Sequence, residues 1–195
     1  MIGAGAVGAG TAWHLARQGQ NVTLIDPSVD APIERSNGHQ QALNGTAASL
    51  GVLMGNVFRR SSGRAWRLRQ RSMELWPQWV EKLHHPDTPL QLDSPLIQLA
   101  SSPLELERMQ SLAKQRRELG LESFGSESTE ALQTSDQIPW PNPGHGGLHS
   151  QNDGRIDPLA LQRALRRSLK AEKVALLPAR VTKLHRPNPG DRKLW

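Results

Sequence analysis

A chain of 195 residues can bury a real core as one domain or form two small ones, so length alone does not exclude an enzyme. The composition, 36% hydrophobic and 22% charged, is that of a soluble globular protein. No apolar run approaches the roughly 18 residues of a membrane span, and no cleavable leader opens the chain, because Met1 and Ile2 run straight into glycines; the location expected is cytoplasmic.

The absence of cysteine excludes disulfides, thiolate metal sites, cysteine nucleophiles and any cysteinyl link to a cofactor, so redox work would need a bound cofactor. A net charge of +6 and a pI near 10.5 raise the question of an anionic partner, either nucleic acid or a phosphate-bearing ligand. The distribution answers against nucleic acid. Arg60, Arg64, Arg67 and Arg71 fall at helical spacing on one side of a helix whose other side carries Trp66, Met73, Trp76 and Val80, which describes a solvated face, and no nucleic-acid motif accompanies them.

In chain order, the first elements are a glycine turn, a helix and a strand. Ala12, Leu15 and Ala16 recur at helical spacing, Gly19 stands where a helix would stop, and Val22-Thr23-Leu24-Ile25-Asp26 is a short β-branched run ending in an acid. Only Met1 and Ile2 precede Gly3, so the strand that should open this parallel unit is expected to be nearly absent. Residues 27–45 are polar and read as a loop, and residues 46–54 are small and apolar, suited to close packing against something flat. Residues 62–83 describe a long amphipathic helix in which Pro77 should introduce a kink, and residues 96–100 a strand. Pro103 opens a helix running through Leu119 and ended by Gly120. Residues 122–143 read as a surface excursion without a period, and residues 146–150 as a strand closed by the turn signal Asn152-Asp153-Gly154. Asp157 and Pro158 supply the N-cap and first position of a helix through Leu161, Leu165 and Leu169, and residues 174–177 and 180–184 read as successive strands.

The chemistry lies in Gly3-Ala4-Gly5-Ala6-Val7-Gly8, a G-x-G-x-x-G loop. The first glycine permits the tight turn, the second lets backbone approach a pyrophosphate, and the third lets helix and strand pack closely. The helix beginning near Ala6 offers unpaired N–H groups and a positive dipole end to phosphates. Asp26 lies 23 residues after Gly3 at the end of the next strand, where its carboxylate can accept hydrogen bonds from both ribose hydroxyls and would repel the 2′-phosphate of NADP. This reasoning gives a dinucleotide, either FAD or NAD, and leaves the choice open.

Three segments in order resemble one known family: residues 3–26, residues 45–54, and residues 146–158 with Asp153-Gly154-Arg155-Ile156-Asp157-Pro158. Along nearly the whole chain they are similar to the D-amino-acid oxidase family, and within it to the glycine oxidase branch associated with thiamine biosynthesis. The resemblance implies an α/β fold: a FAD-binding Rossmann-type domain like that of glutathione reductase, truncated at both ends, with the start of a substrate domain. Residues 1–60 and 146–195 would form the partial FAD-binding domain, and residues 61–145 a helical and strand insertion leading to the substrate domain.

Cofactor contacts carry over residue by residue. Gly3, Gly5, Ala6, Val7, Gly8, Asp26 and Pro27 would hold the ADP half of FAD; Gly45, Thr46, Leu50, Gly51 and Val52 would lie along the pyrophosphate and flavin; and Val181 matches a late-strand valine that meets the adenine, although alone it reads as a core residue. Some relatives attach FAD through a histidine where this sequence has Ala48, so the FAD expected here is noncovalent. The implied reaction is oxidation of a small amine or amino acid, with hydride passing to the flavin. In the family the substrate carboxylate is clamped by arginine and tyrosine groups of the later half; this chain has no tyrosine, and no catalytic residue is assigned.

Other features carry less. The histidines at 39, 84, 85, 145 and 149 lack ligand spacing and read as surface or packing groups, so no metal is expected. No G-x-S-x-G elbow supports a hydrolase. The tryptophans at 13, 66, 76, 79, 140 and 195 read mostly as core. Two alternatives stand beside the flavoenzyme: an NAD-binding dehydrogenase fragment sharing only the glycine loop, and a nonenzymatic remnant. The expected partner is a small-molecule substrate, with homo-oligomerisation left open for a full-length protein.

Overall fold

A computed structural model describes residues 1–33, 45–58, 60–126 and 145–184. Its elements in chain order are α1 (Ala6–Arg17), β1 (Thr23–Ile25), β2 (Val52–Leu53), α2 (Gly63–Leu83), β3 (Leu92–Asp93), β4 (Leu96–Leu99), α3 (Pro103–Gln115), a 3-10 turn (Arg117–Leu119), β5 (Leu121–Phe124), β6 (Gly147–Ser150), β7 (Gly154–Ile156), α4 (Pro158–Ala171) and β8 (Ala175–Leu177). They group into two compact units, one of residues 1–48 with 161–195 and one of residues 49–160. Expectations for His39, Trp140 and Trp195 fall outside the described residues.

The first unit is built on parallel pairing. β1 runs parallel to β8, with Leu24 opposite Leu176. On the other side of β1, Ile2 forms a parallel bridge with Ile25: the Ile25 amide donates to the Met1 carbonyl at 3.0 Å, and the Gly3 amide to the Ile25 carbonyl at 2.8 Å. Residues 1–3 thus pair with β1 where a parallel α/β unit places its opening strand. A parallel pair needs a crossover. α1 supplies one directly before β1 and α4 one directly before β8, and the second unit enters the sequence after β1 and ends in the first turn of α4. Ala9, Ala12, Trp13 and Leu24 are buried, and so are Leu161, Leu165 and Leu169, which stand four apart on one stripe of α4. α4 starts where expected because Asp157 Oδ1 accepts from the amides of Leu159 at 2.8 Å and Ala160 at 3.1 Å.

The second unit contains two antiparallel three-stranded sheets, ordered β2-β7-β3 and β4-β6-β5. α3 packs on the second sheet through Ala100, Met109, Ala113, Leu121 and Leu148. Its start is written locally: Ser102 Oγ accepts the Glu105 amide at 3.2 Å while Glu105 Oε2 accepts the Ser101 amide at 2.8 Å, with Pro103 at the first position. α2 runs unbroken from Gly63 to Leu83 with Pro77 inside it. Arg60, Arg64, Arg67 and Arg71 are exposed, whereas Trp66 is buried.

Three expectations change. Residues 122–124, placed at the start of a surface excursion, belong to β5, and residues 127–143 of that excursion lie outside the described residues. The helix opened by Pro103, expected to run through Leu119, stops at Gln115, and the chain tightens into a 3-10 turn before Gly120 turns it with a φ of +78°. Residues 180–184, read as a strand, belong to no sheet among the described residues. A β-branched residue such as Val181 favours extended backbone, but a strand exists only with a hydrogen-bonded neighbour.

Candidate dinucleotide-binding site

The glycine loop is shaped by close backbone approach. Gly3 has a φ of +93°, a region that favours glycine. A Cβ on Gly8 would lie 1.9 Å from the Gly3 carbonyl oxygen, so the first turn of α1 sits directly on the loop that leads into it. Gly5 is the N-cap of α1 and brings no capping side chain. By helix geometry the amides of Ala6, Val7 and Gly8 have no carbonyl one turn back, while that of Ala9 closes on Gly5 at 2.9 Å.

Asp26 closes the other end of the site. Its Oδ2 accepts the Ala4 amide at 2.9 Å and its Oδ1 accepts the Ser28 amide at 2.7 Å. One carboxylate therefore ties the glycine loop to the turn following β1. A carboxylate offers about four acceptor positions. Two are used, and the others can serve hydroxyl donors such as those of a ribose. Pro27, next in the chain, is exposed.

Thr46 joins this group from the turn at residues 45–49. Its Oγ1 accepts the Ala6 amide at 2.9 Å and lies 3.1 Å from where a Gly5 Cβ would stand, so the second glycine also makes room for the threonine. Gly45 has open space around it. Val7 is 83% exposed, leaving the opening turn of α1 bare at its surface. Val181 is half-buried beyond β8. The remaining three candidates stand in the second unit, where Gly51 has a φ of +68° and a Cβ there would lie 1.9 Å from the Ile156 carbonyl oxygen. Leu50 beside it is 80% exposed, and Val52 begins β2.

These residues fit the phosphate and ribose portions of a dinucleotide: a loop with no side-chain bulk, a helix N-terminus, and an acceptor-only group at the end of the adjoining strand. A family model for FAD-dependent oxidoreductases, DAO, matches residues 1–194. The chain belongs to this family. Similar solved structures include the glycine oxidase of Bacillus cereus ATCC 14579, with a TM-score of 0.73 at 16% identity over 96% of this chain and 49% of that one. The glycine oxidase of Geobacillus kaustophilus gives 0.68 at 20% identity over 90% and 44% of the two chains. The dithionite-reduced L-α-glycerophosphate oxidase of Mycoplasma pneumoniae, with FAD bound, gives 0.65 at 20% identity over 90% and 42%. At these identities the likeness is one of fold, and the DAO-family chain has the mixed α/β FAD-binding fold of glycine oxidase-like structures. It spans less than half the length of each. No curated protein matches its sequence.

Sequence reasoning missed two arginines of this DAO-family chain. Arg166 of α4 donates to the carbonyls of Ala31 at 2.5 Å and Ser28 at 3.3 Å; burial pulls its guanidinium below the usual value, opposed by Asp30 and Asp26. In the second unit, Arg116 donates to the carbonyls of Asn56 and Phe58 and lies 4.8 Å from the Trp66 ring; burial lowers it too, against the opposing charge of Asp153. Arg116 caps the end of α3 and Arg166 lies within α4, and no local signal marks their targets, which stand 58 to 138 residues away. Among the described residues no helix is long and apolar enough to cross a membrane.

Proposed function

We propose that this chain carries the cofactor-binding half of a flavoenzyme that oxidises a small amino acid or secondary amine, with FAD held noncovalently. The observation that supports it most is the Asp26 carboxylate hydrogen-bonded to the Ala4 amide of the glycine loop, within a chain of the FAD-dependent oxidoreductase family. Gly3, Gly5 and Gly8 would admit the pyrophosphate to backbone amides, Asp26 would accept the ribose hydroxyls, and Pro27 and Val181 would flank the adenosine. Thr46 would stand beside the pyrophosphate, and Leu50, Gly51 and Val52 would serve the flavin portion. Residues 1–60 and 146–195 would make up the cofactor domain. The flavin would supply the redox chemistry by accepting a hydride from the substrate α-carbon.

Anaerobic mixing of the FAD-loaded full-length enzyme that carries this chain with glycine, N-methylglycine and glycerol phosphate separates the substrate classes. Bleaching of the visible flavin band by either amine, with glycerol phosphate inert, is the expected result; bleaching by glycerol phosphate alone contradicts the amine reading. Acid precipitation of the loaded protein should leave flavin in the supernatant, since Ala48 offers no side chain for a covalent link. Flavin retained in the pellet would contradict noncovalent binding.

A further inference from the structure

We infer that Arg166 is a positioning residue for the adenosine end of the dinucleotide site, acting through the turn that orients Asp26. The inference rests on the dinucleotide reading and adds to it a residue that touches none of the glycine loop. After β1 the chain makes two consecutive turns: the Val29 amide closes on the Asp26 carbonyl at 3.2 Å and the Ala31 amide on the Ser28 carbonyl at 3.1 Å, with Val29 buried between them. Arg166 reaches this turn from α4, Nη1 donating to Ala31 O at 2.5 Å and Nη2 to Ser28 O at 3.3 Å. Arg163, one turn earlier on the same helix, donates to Ile33 O at 3.4 Å.

The chemistry requires an arginine. The Ser28 carbonyl already accepts the Ala31 amide and the Ala31 carbonyl stands a turn further on, so holding both takes two donors at fixed separation, which a planar guanidinium has and an ammonium lacks. The charge matters as well, because Asp26 and Asp30 act on Arg166 from the same turn. The consequence runs through Ser28. Its amide is the partner of Asp26 Oδ1 at 2.7 Å, and its carbonyl is one of the two that Arg166 holds. The two groups belong to adjacent peptide planes that meet at the Ser28 Cα, so releasing the carbonyl loosens the turn at that hinge and lets the Pro27–Ser28 amide drift from the carboxylate, which then loses one of the two amides that fix its direction. Asp26 keeps its charge but no longer points where a ribose would need it.

The test is a double-mutant cycle on the full chain, read by calorimetric titration with FAD and accompanied by thermal unfolding. Arg166→Gln is expected to raise the Kd for FAD roughly tenfold in the parent background and less than about twofold in an Asp26→Ala background, because the loss passes through Asp26. Arg166→Lys, which keeps the charge without the fork, should fall between the parent and Arg166→Gln, and it carries the cycle where the glutamine variant does not fold. An equal loss in both backgrounds, or no loss in the parent background, overturns the inference while leaving the dinucleotide reading intact. Failure of the unaltered chain to bind FAD overturns both.

Discussion

Gly8→Val is expected to abolish FAD binding and to lower the stability of the first unit by about 3 kcal/mol, as overpacking against rigid backbone does. The Cβ would lie 1.9 Å from the Gly3 carbonyl oxygen and 3.1 Å from its carbon, and neither atom can rotate away as a side chain would. Relief requires α1 to lift off the glycine loop, although α1 buries Ala9, Ala12 and Trp13 and carries the amides proposed for the pyrophosphate. Neighbouring glycines make internal controls. At Gly5 the added Cβ would meet only Thr46 Oγ1, at 3.1 Å, and the threonine can turn. At Gly45 it would meet nothing within 4 Å, so Gly45→Ala should leave stability within about 0.5 kcal/mol. Thermal unfolding of Gly8→Val, Gly5→Ala and Gly45→Ala checks the order. A Gly8→Val protein as stable as Gly45→Ala would show that the close approach of α1 to the loop is wrong.

Asp153→Ala should cost about 3–5 kcal/mol, the range for stripping a buried charge of its partner. Asp153 is fully buried. Oδ1 accepts the amides of Gly55 at 2.7 Å and Asn56 at 3.0 Å; Oδ2 accepts those of Asn56 at 3.0 Å and Val57 at 3.1 Å, and also Ser150 Oγ at 3.0 Å. The same residues 55–58 are held from the other side by Arg116, whose guanidinium donates to the carbonyls of Asn56 and Phe58. Amides converge on the anion and carbonyls on the cation, so the segment following β2 is clamped between opposite charges. Alanine leaves the buried amides of Gly55 and Asn56, the half-buried amide of Val57 and an arginine without their counter-charge. Arg116→Met should be costly alone and cost less in the Asp153→Ala background, a coupling that denaturant titration of the four proteins measures. Additive losses would show that the two charges do not act as a pair. Ser150→Ala removes a single neutral donor and should cost about 1 kcal/mol.

What could be read from the sequence follows the range of the interactions. The glycine loop, α1, β1 and Asp26 rest on local signals and sit together as the spacing required. The start of α4 was equally legible, because Asp157 caps it from the adjacent residue. β5 escaped because Leu121-Glu122-Ser123-Phe124 is only four residues long and becomes a strand by pairing with β6 across the intervening segment. The reverse happened at residues 180–184, where local propensity had no sheet to join among the described residues. Asp153 was visible as a turn residue, but its partner amides lie 96 to 98 residues away, and the carbonyls Arg166 holds lie 135 and 138 away. No local pattern encodes such pairs. The family resemblance supplied what periodicity could not, the choice of FAD over NAD, and the match of residues 1–194 to FAD-dependent oxidoreductases agrees with it.

The central claim is that Gly3, Gly5, Gly8 and Asp26 form a FAD site. Calorimetric titration of the full chain with FAD and, separately, with NAD tests it most directly. The account predicts saturable binding of about one FAD per chain, with no heat from NAD over the same range. Heat from NAD alone, or from neither dinucleotide while the protein unfolds cooperatively on warming, would contradict it.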